Sequence, residues 1–396
     1  MLIRAESGLN PYREVSLRPS LLLPALFLTT VASAQPQPPS KVDWSRLADL
    51  VVRRTWKLAP GEKVVLFWDQ ASDRGMAPAI RAAIAGAGAV VSAELSAPTL
   101  AEQNAIRTLP PAVQSSQRAR RDSIWLKAFQ AADAAIWLPM PATGYADRPF
   151  ERLVEKTKVR SIHFHWFLPP DVADVDRIDA LYAEAIAVPP EQLRTRISAV
   201  EAALRGATIT ITAPNGTNLT LKMAPNARVH HNTGDASRAK VADARSIRDR
   251  EEELPASVFR TTDISGAEGT ITAFASFDTR SPVLSVTFKG GRVQKFESKK
   301  GAEAIVAAWH KATGDKAFPG ELVIGTNPAL SNVLPSGFMP YYGYGSGVVR
   351  LAIGDNWESG GRNRSSNGEV LLFIPDATVT ANGRVVVKDG RLIGGQ

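Results

Sequence analysis

The chain has 396 residues, 44% of them hydrophobic and 22% charged, with a formal net charge of +8. That is ordinary globular composition, long enough for two domains and for a core that needs no covalent staples. It contains no cysteine, which excludes disulfides, thiol catalysis, zinc–thiolate sites and a lipid-modified leader cysteine. Acidic and basic residues are mixed throughout, and no basic run is interleaved with aromatics, so a nucleic-acid partner has no support.

At the N-terminus, Arg13 and Arg18 precede an apolar run from Leu21 to Ala32, which ends in Ala32-Ser33-Ala34. The run is too short to span a bilayer, and small residues stand at −3 and −1 of a cut after Ala34, so residues 1–34 read as a cleaved secretory signal. Export to the periplasm or the extracellular space is the expectation, with no membrane span after cleavage. The mature chain keeps +7, because the leader carries three Arg and two Glu.

Residues 35–205 read as a small parallel α/β domain. Leu47, Leu50, Val51 and Trp56 recur at helical spacing; GEKVVLFWD (61–69) is a buried strand; helix-forming sequence (78–87) and the strand 89–95 complete a βαβ unit. A helix near 123–130 leads to the strand AADAAIWLP (131–139), and SIHFHWF (161–167) is another. The turn from Asp69 to Gly75 lacks the paired glycines that cradle a pyrophosphate, which argues against a nucleotide. His163 and His165 share a strand face, as metal-binding pairs do. With no acidic partner in the local sequence, a satisfied core or rim pair is the plainer reading.

Residues 206–396 follow another pattern. After a helix over 190–205 come alternating strands joined at Asn215-Gly216, Gly290-Gly291, Asn382-Gly383 and Asp389-Gly390, pairs that favour positive φ and tight hairpins. One helix, 301–313, interrupts them. The second domain is therefore β-rich α+β, built of antiparallel meanders. Within it, His230-His231 beside Asp235 offers a ligand or base, with a solvated loop as the simpler reading. Glu251-Glu252-Glu253 offers a carboxylate to a metal site, with an exposed charged turn as the simpler reading. Glu268 is a weaker candidate of the same kind. Ser359, Ser365 and Ser366 lack a Gly-x-Ser-x-Gly elbow and read as loop serines.

The stretch from Gly320 to Val370 concentrates polar residues at strand ends: GELVIGTNP, then VVRLAIGDNWESGGRN, then RSSNGEVLLF. Together with the preceding FKGGRVQKFESKKGAEA, the EELPASVF segment and the closing NGRVVVKDGRLI hairpin, this order resembles the C-terminal half of the thermophilic aminopeptidase family. These are metallopeptidases of the aminopeptidase T and S type. The resemblance spans about 350 residues, with its specificity between Phe288 and Leu392. It implies an aminopeptidase-like hydrolase that removes N-terminal residues from peptides. It also implies two divalent metal ions of the zinc or cobalt class and a homodimer formed through the larger domain.

The family's ligand set transfers unevenly. Glu321 matches the glutamate of its Gly-Glu motif and is the one matched metal ligand. Its other glutamate falls at Ala256 or Ser257, with Glu253 the nearest carboxylate. Arg350 stands at the family's histidine and Trp357 at its tyrosine, while the His-Trp-Asp triplet aligns with Gly368-Glu369-Val370. An arginine at a ligand position repels cations, and Arg350 is expected to pair with Glu321 in place of a metal.

Two functional readings follow. In one, a hydrolytic centre is rebuilt from Glu321, Glu253, Glu358, Asp355 and Glu369 with His230 or His231. In the other, a non-catalytic relative binds an anionic or aromatic small ligand with Arg350, Trp357, Arg362, Arg364 and Glu369. A ring-cleaving iron dioxygenase, which shares this architecture by resemblance, needs a histidine and an aspartate near the last strand that are absent here.

Overall fold

The structure, a computed structural model, describes residues 42–68, 75–96, 98, 100–138, 149–166 and 174–393. The signal-peptide reading and most of the turn after residue 68 lie outside them. The first strands are β1 (Lys63–Trp68), β2 (Val90–Ser96), β3 (Ala134–Trp137) and β4 (Arg160–Phe164). There follow β5 (Thr208–Thr212), β6 (Asn218–Met223), β7 (Val229–Asn232), β8 (Glu251–Leu254), β9 (Val258–Thr261), β10 (Ile264–Phe274), β11 (Val283–Lys289) and β12 (Arg292–Lys300). The last are β13 (Pro319–Gly325), β14 (Val349–Gly354), β15 (Glu369–Ile374), β16 (Thr378–Ala381), β17 (Arg384–Lys388) and β18 (Arg391–Leu392).

These form two sheets, a five-stranded parallel one in the order β2-β1-β3-β4-β8 and a thirteen-stranded antiparallel one. The antiparallel sheet runs from β18 through β10, β15, β14, β13 and β9 to β7, with β11 and β12 added beside β10. This is the expected α/β layer followed by β-rich meanders. Three tight hairpins turn at the expected residues, and their left-handed conformations explain the sequence: Gly290 (φ 62) and Gly291 (φ 74), Asn382 (φ 49) and Gly383 (φ 83), Asp389 (φ 48) and Gly390 (φ 71). The Asn215-Gly216 connection is longer, with Thr212 paired to Asn218.

β8 was not legible as a strand. Its sequence, Glu-Glu-Glu-Leu, was read as an exposed charged turn, yet all four residues are buried and pair in parallel with β4. A strand from beyond residue 206 thus completes the first sheet. The helix read near 123–130 also begins earlier, at Pro111, and its exposed polar face hides the helical period.

The two sheets meet at a shared core. Alternation along β13 sends Val323 toward the parallel layer, where it packs with Val258, Leu330 and Tyr341. Leu322 and Ile324 point to the opposite core with Leu351 and Phe259. The side of β13 that carries Val323 also carries Glu321, so the glutamate faces the first sheet.

A second charged group anchors the first layer from outside the site. Arg160 is buried and donates to both oxygens of Glu62 at 2.7 and 2.8 Å and to the carbonyls of Trp56 and Ala236. Replacing Glu62 by Ala leaves that guanidinium buried without its counter-ion, so Glu62→Ala should cost about 3–5 kcal/mol in denaturant unfolding. Adding Arg160→Met should recover much of the loss, and an unchanged midpoint in the single variant would contradict this account.

Candidate functional site

Hydrogen-bond register sets one row of side chains across five adjacent strands. His230 on β7 pairs with Arg260 on β9, Arg260 with Val323 on β13, Val323 with Arg350 on β14, and Arg350 with Phe373 on β15. Glu321 lies two residues from Val323 on the same face, so it sits diagonally between Arg260 and Arg350. Arg350 donates to Glu321 through Nη2, Arg260 Nε is 3.5 Å from the same oxygen, and Ser359 Oγ donates to the other oxygen at 2.5 Å. The pairing expected between Glu321 and Arg350 is present.

β8 brings the second carboxylate from the parallel sheet. Glu253 accepts from Arg260 Nη2 at 2.7 Å and from Arg248 Nη1 at 2.9 Å, and His165 Nε2 stands 3.4 Å away. His165 therefore has the acidic partner that its local sequence did not show. Arg248, on the helical turn Ile247–Arg250, also donates to Glu251 at 2.6 Å and to Glu358 at 2.5 Å. Tyr344 packs under two of the guanidiniums, 5.2 Å from Arg350 and 5.7 Å from Arg260.

The protonation states follow from this net. Burial alone raises a carboxyl, but Arg260 and Arg248 outweigh it at Glu253 and hold that group well below the usual range. Arg260 and Arg350 likewise outweigh burial at Glu321 and lower it. Glu251 is different: burial dominates over Arg248, its neighbours Glu151 and Glu253 add repulsion, and its carboxyl is pushed up to about 8. Asp355 is also raised, chiefly by burial. Three guanidiniums, of Arg248, Arg260 and Arg350, thus face three carboxylates, of Glu253, Glu321 and Glu358, with Glu251 uncharged at neutral pH.

The cleft in front of Glu321 holds about 110 Å³ and is lined by Arg248, Arg350, Asp355, Trp357, Glu358 and Glu369 among others. By its lining the opening is acidic, with the carboxyl groups of Glu321, Asp355, Glu358 and Glu369 against the guanidiniums of Arg248 and Arg350; Glu369 acts on Arg350, and Arg364 on Asp355. Two expected lining residues are elsewhere. Arg364 turns its guanidinium onto the carbonyls of Gly361 and Asn363, and Arg362 lines a separate groove. The cationic wall read from Arg350, Arg362 and Arg364 does not form, because consecutive residues of a loop face different ways.

The other histidine reading also changes. His230 is buried on β7, its Nδ1 2.9 Å from Asp249 and its Nε2 2.8 Å from the Ser359 carbonyl oxygen, so it braces the site instead of lying on a solvated loop. His231 turns away to Glu201 at 2.6 Å. Asp249 carries the link on, since the same helical turn bears Arg248. Arg248, Arg260 and Tyr344 were missed by sequence reasoning, while His165 and Ser359 were singled out but read as a core or rim histidine and a loop serine. A detectable signal existed for one of the missed residues, Arg260: an arginine inside an otherwise apolar buried strand, as in VFRT, requires a buried acid nearby.

Among the described residues no group of three or more His, Asp or Glu side chains is placed to hold a metal ion. The donor chemistry gives the reason, because the lone pairs of Glu321 and Glu253 point at guanidinium N–H groups. The residues present do not fit the divalent pair implied by the family resemblance.

No protein-family model and no curated protein sequence matches the chain. Solved structures with the same fold do. AmpT, aminopeptidase T, from Thermus thermophilus superposes with a TM-score of 0.61 at 16% identity, covering 89% of this chain and 99% of the other. A 2,5-dihydroxypyridine dioxygenase from Pseudomonas putida KT2440 superposes with a TM-score of 0.59 at 15% identity, covering 90% and 99%. The chain therefore has an aminopeptidase T-like fold, one that the dioxygenase shares.

The raised Glu251 carboxyl has a consequence for stability. The fold holds its proton up to about pH 8, against about 4.5 for an ordinary glutamate, so the stabilisation is complete below the lower value and is lost as pH rises through the upper one. Glu251→Gln keeps the uncharged form at every pH. It should melt with the parent chain near about pH 5 and outlast it near about pH 9 by at least ~1.4 kcal/mol, the worth of one pKa unit. Parallel stability curves across that range would show that Glu251 is ionised in the fold.

Proposed function

We propose that this chain is an exported protein of aminopeptidase-like fold whose cleft binds the amino end of a peptide, or another small amine, without a metal-dependent hydrolytic step. One observation carries the reading. The buried carboxylates of Glu321 and Glu253 are neutralised by guanidiniums, while the cleft beside Trp357 is lined by four carboxyl groups, of Glu321, Asp355, Glu358 and Glu369, against the two guanidiniums of Arg248 and Arg350. An ammonium group suits that cleft, through charge and through the indole face. This reverses the anionic-ligand reading, since the positive charge of Arg350 is already taken by Glu321. Pairing of two copies through the larger domain belongs to the same proposal and is checked by the mass of the chain in solution.

The residues that would have to activate water do not support hydrolysis through two cations. A bridging hydroxide forms when several anionic ligands clamp two divalent ions, whereas a guanidinium orients a carboxylate and lowers no water pKa. Zinc or cobalt added to the purified chain should shift its melting temperature by less than about 1 °C. Leucine 4-nitroanilide should not turn over with or without a chelator. A second reading, peptide hydrolysis by a rebuilt centre, is favoured by the four carboxylates of Glu321, Asp355, Glu358 and Glu369 around one cleft. Turnover that is lost on chelation would establish it and displace the first.

Binding has its own test. A peptide with a free amino terminus should protect the chain in thermal unfolding, and its N-acetyl form should not. Glu369→Gln should weaken the free peptide by about tenfold, a typical value for one charge-assisted contact. Affinity should also fall on the acid side as Asp355, whose carboxyl burial has raised, takes up a proton. Equal protection by the acetylated peptide would remove the amine assignment.

A further inference from the structure

The turn Trp357–Ser359 brings Trp357, Glu358 and Ser359 to the cleft, and one of its ties to the sheet depends on a proton. His230 is buried, with Nε2 2.8 Å from the Ser359 carbonyl oxygen and Nδ1 2.9 Å from Asp249 Oδ1. A carbonyl oxygen only accepts. Asp249 has no proton to give either, because Arg228 and the backbone N–H groups of Arg245 and Ser246 all donate to its other oxygen, the last two at 2.8 and 2.9 Å. Burial raises the Asp249 carboxyl, but the His230 bond and these donors outweigh it and hold the group well below the usual carboxylate range. Neither separation leaves room for a water between the atoms. Both ring nitrogens must therefore donate, and only the imidazolium has two N–H groups.

The charges around the ring are mixed. Arg228 precedes β7, Arg260 lies opposite His230 on β9, Arg248 shares the helical turn with Asp249, and Glu358 adjoins Ser359. On the far face of β7, His231 meets Glu201 of the helix Pro190–Leu204, and Lys240 donates to the His231 carbonyl. The three guanidiniums oppose a further cation, but each already meets a carboxylate: Arg228 meets Asp249, Arg260 meets Glu253, and Arg248 meets Glu253 and Glu358. Asp249 is the direct counter-ion of the imidazolium. When the ring loses a proton, the carboxylate keeps the remaining N–H on Nδ1, and a bare Nε2 lone pair then faces the Ser359 oxygen. The turn is still held through Arg248 to Glu358 and through Ser359 Oγ to Glu321, so it shifts without detaching.

We infer that His230 is a proton-sensitive positioning residue: its imidazolium draws the Trp357–Ser359 turn into place, and loss of that proton relaxes the cleft wall. The consequence for ligand affinity rests on the amine-binding reading above; the switch itself does not. The wall is formed on the acid side of the ring's titration and relaxed on the alkaline side. That limb is opposite to the loss expected as Asp355 takes up a proton, so affinity for a free amino terminus should peak between the two.

The switch is read by nitrogen magnetic resonance on the purified chain, isotopically labelled in histidine and tryptophan, from about pH 5 to about pH 9. His230→Gln and Trp357→Phe identify the two signals. Both His230 nitrogens should be protonated at the acid end, Nε2 should lose its proton first, and the Trp357 indole signal should move with the same midpoint. In His230→Gln, which has no ring proton to lose, the Trp357 signal should hold still. A His230 ring with one bare nitrogen at every pH overturns the inference, and so does a Trp357 signal indifferent to the ring. Where the variant does not fold, the parent still decides: one of its five histidines must show two N–H groups slow to exchange with solvent, and His230 is the most buried of them. Calorimetric titration with Leu-Gly-Gly then reads the cleft. His230→Gln should bind about fivefold more weakly than the parent at about pH 6 and equally at about pH 8, the ligand's own titration cancelling in the ratio. A ratio that does not change with pH overturns the coupling to the cleft. Failure of the peptide to bind the parent removes the amine reading and leaves the nitrogen titration to decide the switch.

Discussion

Burying a guanidinium on the inner face of a β-sheet is tolerable only when a carboxylate reaches it, because an unpaired charge removed from water costs several kcal/mol. Arg260 and Arg350 are 2% and 3% exposed, on adjacent sides of β13, so their strands cannot pair in this register without Glu321 between them. Arg260 reaches farther, to Glu253 on the other sheet, and this fixes where β8 must lie. The seam between the sheets is consequently joined by charge as well as by apolar packing. Arg248 closes the net by linking Glu253 to Glu358 on the segment after β14.

That arrangement explains how an aminopeptidase T-like fold stands with several carboxylates converging and guanidiniums set against them. Two divalent ions and a guanidinium cluster both solve the problem of several carboxylates converging in low dielectric. They solve it with different consequences. A cation keeps an open coordination position for water, whereas guanidinium N–H groups fill the lone pairs they meet and leave no place for a nucleophile. Aromatic support follows the same logic. Tyr344 lies under two guanidiniums, and Tyr341, held in a left-handed conformation at φ 55, donates its hydroxyl to the Glu253 carbonyl at 3.0 Å. A tyrosine in that conformation persists only where its surroundings impose it, and here the charged net and the buried Tyr182 do so.

Much of this fold was legible because its signals are local. Asn382-Gly383 and Asp389-Gly390 state their turns directly, and VVLFW and AAIW state buried strands by composition. β8 was not legible, since three consecutive glutamates read as solvated charge in every local scheme. What makes them a strand is distant in sequence: Arg260 and Arg248 meet Glu253, Lys240 meets Glu252, and the proton retained by Glu251 removes a third charge. The Glu321–Arg350 pair was legible through the family resemblance, which sets both residues at ligand positions, and the adjacency of β13 and β14 brings them together. The separation of Arg362 and Arg364 from that pair was not, because loop residues carry no fixed period.

His230 shows how the same row of the sheet reaches the loop that lines the cleft. Both of its ring nitrogens face acceptors, Asp249 on one side and the Ser359 carbonyl on the other, so a single side chain ties the turn bearing Arg248 to the turn bearing Trp357 and Glu358. Arg228 secures Asp249 from behind. Ser359 then returns to the centre by donating to Glu321. The cleft wall is therefore set by a closed circuit running from β7 through the helical turn and the loop back to β13. Its acidity comes from the carboxyl groups that line it, of Glu321, Asp355, Glu358 and Glu369. On the reading proposed above, a ligand there would meet side chains already held by these bonds, so little of its binding energy would go into ordering them.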